Sequence, residues 1–160
     1  MKLQKYFFLF TILIFALSAC VPAGLGDPAV SQNGLEIYAP WVRAAGLNPG
    51  GGMHGGGAVT GAFMLVKNTN DQADMLLSAS AEVAEDVQIH QTSMSNGVMS
   101  MAEVYGVEIP ANGQAELKPG GYHVMLIGLK QELKDGETIT LRLNFQNAGE
   151  VVVQAAVRNP

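Results

Sequence analysis

The chain has 160 residues, 48% of them hydrophobic and 14% charged, with a formal net charge of −5. That length suits one domain with a core of its own. An acidic balance without a basic cluster argues against a nucleic-acid partner, and a single cysteine, Cys20, leaves no internal disulfide and no thiolate site in the body of the chain.

The opening residues "MKLQKYFFLFTILIFALSAC" combine a basic start (Lys2, Lys5), an apolar run over 6–17 and small residues before Cys20. This pattern predicts a secretory signal peptide over 1–19, too short and too early to be a membrane-spanning part of the mature fold. Leu17-Ser18-Ala19-Cys20 resembles the lipobox of bacterial lipoproteins, in which the cysteine is acylated and becomes the mature N-terminus. The expectation is an extracytoplasmic, periplasmic lipoprotein held to a membrane through Cys20, with the acyl chains supplying the membrane affinity. Loss of 1–19 removes Lys2 and Lys5 and no acid, taking the net charge from −5 to −7.

Residues 20–34, rich in Gly, Pro and small side chains, read as a flexible tether, and the domain is expected over 35–160. From there short apolar or alternating runs predict strands at 35–44, 58–68, 75–82, 86–92, 98–107, 114–117, 122–129, 138–146 and 150–157. Turn residues separate them, among them Ser95-Asn96-Gly97, Ala111-Asn112-Gly113 and Pro119-Gly120-Gly121. Only a turn around 130–133 has any helical pattern. Many short strands with frequent turns predict a single all-β domain, a Greek-key β-sandwich or barrel. One segment breaks the rhythm. "GLNPGGGMHGGG", 46–57, is dominated by glycine, lacks the Lys-Ser/Thr ending of a phosphate loop, and carries Met53 and His54.

No serine-hydrolase elbow and no His-Glu-x-x-His helix is present, and Glu85-Asp86 sits in polar surroundings, so an enzyme reading begins poor. Sulfur without thiols is the unusual feature. Beyond the signal segment stand Met53, Met64, Met75, Met94, Met99, Met101 and Met125. Met64 and Met75 lie inside apolar runs and read as core. Met94, Met99 and Met101 flank the Ser95-Asn96-Gly97 turn in polar company. Side chains two apart share a strand face, so Gln88, His90 and Thr92 go together, as do Met99, Met101 and Glu103. In "PGGYHVMLIG", Tyr122, Val124 and Leu126 suit a core while His123 and Met125 point the other way. Each His–Met group alone is compatible with packing. Thioether and imidazole together, without cysteine, point to monovalent copper outside the cytoplasm, and the missing thiolate counts against a blue-copper electron carrier.

His90, Met101, His123 and Met125 stand as H-x10-M-x21-H-x-M, and "VQIHQTSMSNGVMSMAEVYGVEIPANGQAELKPGGYHVMLIGLKQELKDGETITLRLNF" resembles the periplasmic copper chaperones of PCuAC type almost continuously. Weaker likeness begins at "APWVRAA", and the resemblance covers most of 35–157. Composition alone would place those residues at those offsets with a probability on the order of 10⁻⁴, so the motif is specific. The resemblance implies a cupredoxin-like β-sandwich that binds one Cu(I). It implies His90, Met101, His123 and Met125 as the ligands, and delivery to the Cu(A) site of cytochrome c oxidase or to another copper chaperone. No substrate is transformed. Protons compete with a metal for imidazole, so affinity is expected to fall below the ordinary imidazole range near pH ~6.5.

Three features depart from the family's pattern. Gln91 follows His90 where relatives often carry a carboxylate or methionine, and the chain stops at "VVVQAAVRNP" without a His/Met-rich tail. The loop bearing Met53 and His54 looks longer than usual, and reads either as a linker or as an auxiliary copper contact. Met99 shares a face with Met101 and competes as the sulfur ligand; family spacing selects Met101, leaving Met94 and Met99 as rim or alternate donors. Two rival readings stay open: a copper-sequestering resistance protein with no dedicated recipient, and a β-sandwich interaction module whose His and Met residues are packing.

Overall fold

Alternation of apolar and polar residues decides most of the strands. In "TITLRLNF", residues 138–145, Ile139, Leu141, Leu143 and Phe145 are buried while Thr138, Thr140 and Arg142 face solvent. The computed structural model describes residues 26–47, 57–95 and 97–159. Among these it forms eleven strands: β1 (Val30–Gln32), β2 (Leu35–Arg43), β3 (Val59–Asn68), β4 (Asp74–Ser80), β5 (Ala84–Ser95), β6 (Val98–Glu103), β7 (Val107–Ile109), β8 (Gln114–Leu117), β9 (Tyr122–Leu129), β10 (Thr138–Phe145) and β11 (Gly149–Arg158). No helix among the described residues is long and apolar enough to cross a membrane.

The strands follow one hydrogen-bonded path, β6-β5-β9-β8-β3-β2-β11-β10-β4-β7, with β1 added to β2 and β9 also pairing β3 beyond the short β8. Sequence neighbours are repeatedly separated in this order, as a Greek key requires. The path folds over itself, so inward side chains from its two halves meet in one cluster. Ile37, Val66, Leu126, Leu141, Leu143 and Val153 are completely buried there; each such side chain removed from water contributes about 1.5–3 kcal/mol. This is the all-β, cupredoxin-like sandwich that the turn spacing and the family resemblance predict.

Three details differ from the sequence reading. The end of the expected tether is strand: Val30↔Ile37 and Gln32↔Leu35 pair across a two-residue loop, Asn33-Gly34, both at positive φ (51° and 79°). That is the I′ hairpin geometry that Asn-Gly favours. The single run expected over 98–107 is two strands, β6 on β5 and β7 on β4. Gly106 permits the crossing, because a Cβ there would lie 2.7 Å from the Leu76 carbonyl oxygen. The expected turn at 130–133 contains no helix; Leu133 is buried and exchanges backbone hydrogen bonds with Ala45 (3.0 and 2.9 Å).

One irregularity positions the site. Tyr38 pairs with Leu65 but Trp41 pairs with Phe63, so Ala39 and Pro40 together oppose one residue of β3. Ala39 takes φ 44° in this bulge. The extra residue shifts the alternation of β2, returning Trp41 to the Phe63 side and Val42 to the core.

Candidate metal centre

The second face of β5, β9 and β3, opposite the core, carries the candidate donors. Tyr122, Val124 and Leu126 pack inward from β9, leaving His123 and Met125 on the other side. Registers then place the neighbours. His90 of β5 is paired directly with His123, Gln88 with Met125, and Thr92 with Met101 of β6. Cross-strand partners project to the same face, and diagonal neighbours remain within reach of long side chains. His90, His123 and Met125 therefore form one patch, with Met101 diagonal to His90.

The two histidine rings lie 5.9 Å apart, centre to centre, at 55°. His90 and His123 are 3% and 6% exposed, and Met125 is 6% exposed. Met101 differs: at 48% exposure on the end strand of the path, it is the accessible member of the set. Met99 pairs with Met94 further out on the β5–β6 hairpin, and both are mostly exposed. Cys20, Met53 and His54 lie outside the described residues.

Hydrogen bonds orient both rings. The Gly121 carbonyl accepts from Thr92 N (3.0 Å) and from His123 Nδ1 (3.1 Å). A neutral His123 donating from Nδ1 carries its lone pair on Nε2. His90 Nε2 lies 2.8 Å from Gln88 Oε1. That oxygen can only accept, so Nε2 is the donor.

The wall beside the histidines is aromatic. Phe63 lies 6.2 Å from His123, and Trp41 packs on Phe63 at 4.5 Å. The space for Phe63 comes from Gly61, the partner of Met125: a Cβ on Gly61 would stand 2.8 Å from Phe63 Cζ. A cleft of about 300 Å³ adjoins this wall, lined by Phe63, Met99, Met101, His123 and Met125, with Arg43 also in its lining.

Among the described residues no three or more His, Cys, Asp or Glu side chains come together as a metal-binding group. The clustered donors are two imidazoles and thioethers. Neutral, polarizable donors of this kind suit a soft ion of low charge, whereas zinc sites favour thiolate, imidazole or carboxylate and calcium takes oxygen. Phe63, Trp41, Gly61 and Gln88 were not singled out from the sequence as parts of this site. The alternation of β3 and β5 points to Gln88, Gly61 and Phe63 once the pairing is known, but the bulge at Ala39 and Pro40 conceals Trp41.

A β-sandwich with a His/Met patch on one outer face defines the class, and residues 35–157 match the LpqE-like family, described as lipoproteins; the chain belongs to that family. Among its relatives is Lxx21020 of Leifsonia xyli subsp. xyli (strain CTCB07), named as a lipoprotein. It is 32% identical over 151 residues, covering 92% of this chain and 85% of that one. Protein RP573 of Rickettsia prowazekii (strain Madrid E) is 27% identical over 134 residues, 83% of this chain and 71% of the other. The fold is similar to the copper-bound PCuAC domain from PmoF2, with a TM-score of 0.64 and 26% identity over 82% of this chain and 97% of that domain. It is also similar to the solution structure of CuI-DR1885 from Deinococcus radiodurans, with a TM-score of 0.56 and 30% identity over 77% of this chain and 78% of the other.

Proposed function

We propose that this protein is a Cu(I) chaperone of the extracytoplasmic space. In this reading His90, Met101, His123 and Met125 hold one Cu(I), acylated Cys20 tethers the domain to a membrane, and the copper passes to an acceptor such as the Cu(A) site of cytochrome c oxidase. Copper is cargo here, and no bond of a substrate is made or broken. The observation that carries the reading is the direct pairing of His90 with His123 beside Met125, a compact neutral donor set on a face the core does not use. The copper-bound PCuAC domain and CuI-DR1885, both similar in fold, support the choice of metal.

Exposure suggests how release proceeds. Met101 stands on the end strand, within reach of an incoming protein, while His90, His123 and Met125 are nearly closed off. An acceptor's donor replaces Met101 first, and the buried ligands let go as the acceptor completes its own set. Neutral donors leave the ion's charge uncompensated, which keeps the complex exchangeable.

The test is Cu(I) titration against a competing chelator, followed by mixing of the loaded protein with a purified Cu(A) domain. Binding of one equivalent that His123→Ala and Met125→Ala abolish, with transfer to the acceptor, is the expected outcome. Unchanged tight binding in both variants would remove the site assignment. Tight binding with no transfer to any acceptor would leave a sequestering protein instead.

A further inference from the structure

Asp86, Gln88 and His90 occupy alternate positions on the outer face of β5, and their side chains form a directed chain. Asp86 Oδ1 accepts the Val87 backbone N–H at 2.9 Å, which fixes the carboxylate. Its other oxygen, Oδ2, accepts from Gln88 Nε2 at 2.8 Å. A carboxylate offers no proton to an amide oxygen, so this contact decides which end of the amide points which way. Gln88 Oε1 is thereby turned to His90 Nε2, 2.8 Å away.

From this geometry we infer that Gln88 is a positioning residue that holds His90 as the Nε2–H tautomer, so that His90 offers Nδ1 to the metal. His123 is held in the opposite sense, with Nδ1 donating to the Gly121 carbonyl and Nε2 carrying the lone pair. The facing pair thus presents two different nitrogens to one ion. Asp86 acts one step further out by orienting the amide. Hydrogen bonds of this kind to the far side of a metal-binding imidazole fix its orientation and tautomer, and their loss typically costs 10–100-fold in metal affinity. The inference rests on the reading of His90 as a copper ligand, but its first readout needs no copper.

The test is ¹⁵N NMR of the imidazoles in the full chain without metal, well above the ordinary imidazole pKa of about 6.5, followed by Cu(I) competition. Wild type is expected to show His90 as Nε2–H and His123 as Nδ1–H. Gln88→Leu removes the acceptor and should give His90 a mixed tautomer with about 10–100-fold weaker Cu(I) binding. Gln88→Glu combined with Asp86→Asn keeps an acceptor toward His90 and puts the amide donor on residue 86, and this pair should retain both the tautomer and an affinity within a few-fold of wild type. Asp86→Asn frees the amide to turn and should shift His90 toward Nδ1–H.

A wild-type His90 already in the Nδ1–H form would overturn the inference, as would a Gln88→Leu protein unchanged in tautomer. A tautomer change with unchanged Cu(I) affinity would also overturn it. Failure of the copper reading itself looks different: His90→Ala then binds Cu(I) like wild type, while the ¹⁵N spectra still report the hydrogen bond.

Discussion

His90 and His123 face each other across β5 and β9 in direct register, rings 5.9 Å apart, on the side of the sheet that the core leaves unused. Because Ile89, Val124 and Leu126 supply the inward packing, the histidines can be replaced without opening a cavity in the core. Single changes His90→Ala, His123→Ala and Met125→Ala should each weaken Cu(I) binding by more than about 100-fold, beyond what loss of an orienting hydrogen bond costs. Their far-ultraviolet circular dichroism should match wild type. Chelator competition reads the first quantity, and wild-type affinity in all three would show that the pair is packing.

Met101 and Met99 share a face and an edge strand but have different cross-strand partners, Thr92 and Met94. Only the Thr92 row adjoins His90. Met101→Ala should therefore lower Cu(I) affinity, about 10-fold or more, since an exposed ligand is the one solvent can replace. Met99→Ala and Met94→Ala should leave affinity within a few-fold. X-ray absorption at the copper edge checks the assignment directly, because Met101→Ala should lose one sulfur scatterer and Met99→Ala none.

How far the site was legible from sequence depends on which rule each residue obeys. The period of two separates His123 and Met125 from Tyr122, Val124 and Leu126 without any structure, because β9 stays extended through these residues and turns to a positive φ (65°) only at Gly128. It also groups Gln88 with His90 and Met99 with Met101. What the period cannot supply is register between distant strands, so the facing of His90 and His123 came only through the family's spacing. Trp41 was hidden for a different reason: the two-residue bulge at Ala39 and Pro40 inverts the alternation of β2. The split of 98–107 into β6 and β7 was equally hidden, since Val107 and Ile109 alternate like their predecessors while belonging to the other half of the sheet. The Asn33-Gly34 hairpin was readable, but the Gly and Pro residues before it suggested a tether.

Asp74 anchors the far end of the sandwich. It is 5% exposed, and its carboxylate accepts three backbone N–H groups: Met75 (2.7 Å), Asn147 (2.9 Å) and Ala148 (2.9 Å). Asp74→Ala strands three donors in a buried turn, which should cost on the order of 3 kcal/mol. In a chain of this size that lowers Tm by roughly 6–12 °C. Asp74→Asn keeps one oxygen and should lose about half as much. Thermal denaturation decides it, and an unchanged Tm in Asp74→Ala would mean that water satisfies the turn as well as the carboxylate does.

Acid and base should each weaken the pairing of β2 with β3 through one small network. Tyr38 Oη donates to Glu36 Oε2 (2.7 Å) and Lys67 Nζ donates to the same oxygen (2.9 Å). The Tyr38 hydrogen bond, and after it Lys67, hold the Glu36 carboxyl below the usual carboxylate range. The Glu36 hydrogen bond raises both Tyr38 and Lys67. A lowered carboxylate contributes stability that is present above its unfolded pKa and is lost as pH falls through the folded value. The raised Tyr38 and Lys67 contribute stability that is complete below their unfolded pKa values and is lost as pH rises through the folded ones. Glu36→Gln should therefore lower Tm slightly between these limits. The difference from wild type should shrink below about pH 4 and above about pH 10. A Tm difference independent of pH would assign the effect to packing.

Gly61 leaves room for the aromatic wall of the site, and adding one methyl tests how tightly that wall is set. Its φ lies outside the left-handed region, so Gly61→Ala meets no backbone strain; the obstacle is Phe63 Cζ, 2.8 Å from the new Cβ. The ring must move, and its neighbours are Trp41 on one side and His123 on the other. Overpacking of this kind typically costs about 1–3 kcal/mol. Trp41 is the only tryptophan in the chain, so its emission reports the displacement. Gly61→Ala should change Trp41 fluorescence in the metal-free protein and weaken Cu(I) binding through His123 and Met125. Adding Phe63→Ala removes the obstructing ring. The double variant should then be little less stable than Phe63→Ala alone, with a coupling of about 1–3 kcal/mol between the two sites. Additive losses would place the strain of Gly61→Ala somewhere other than Phe63.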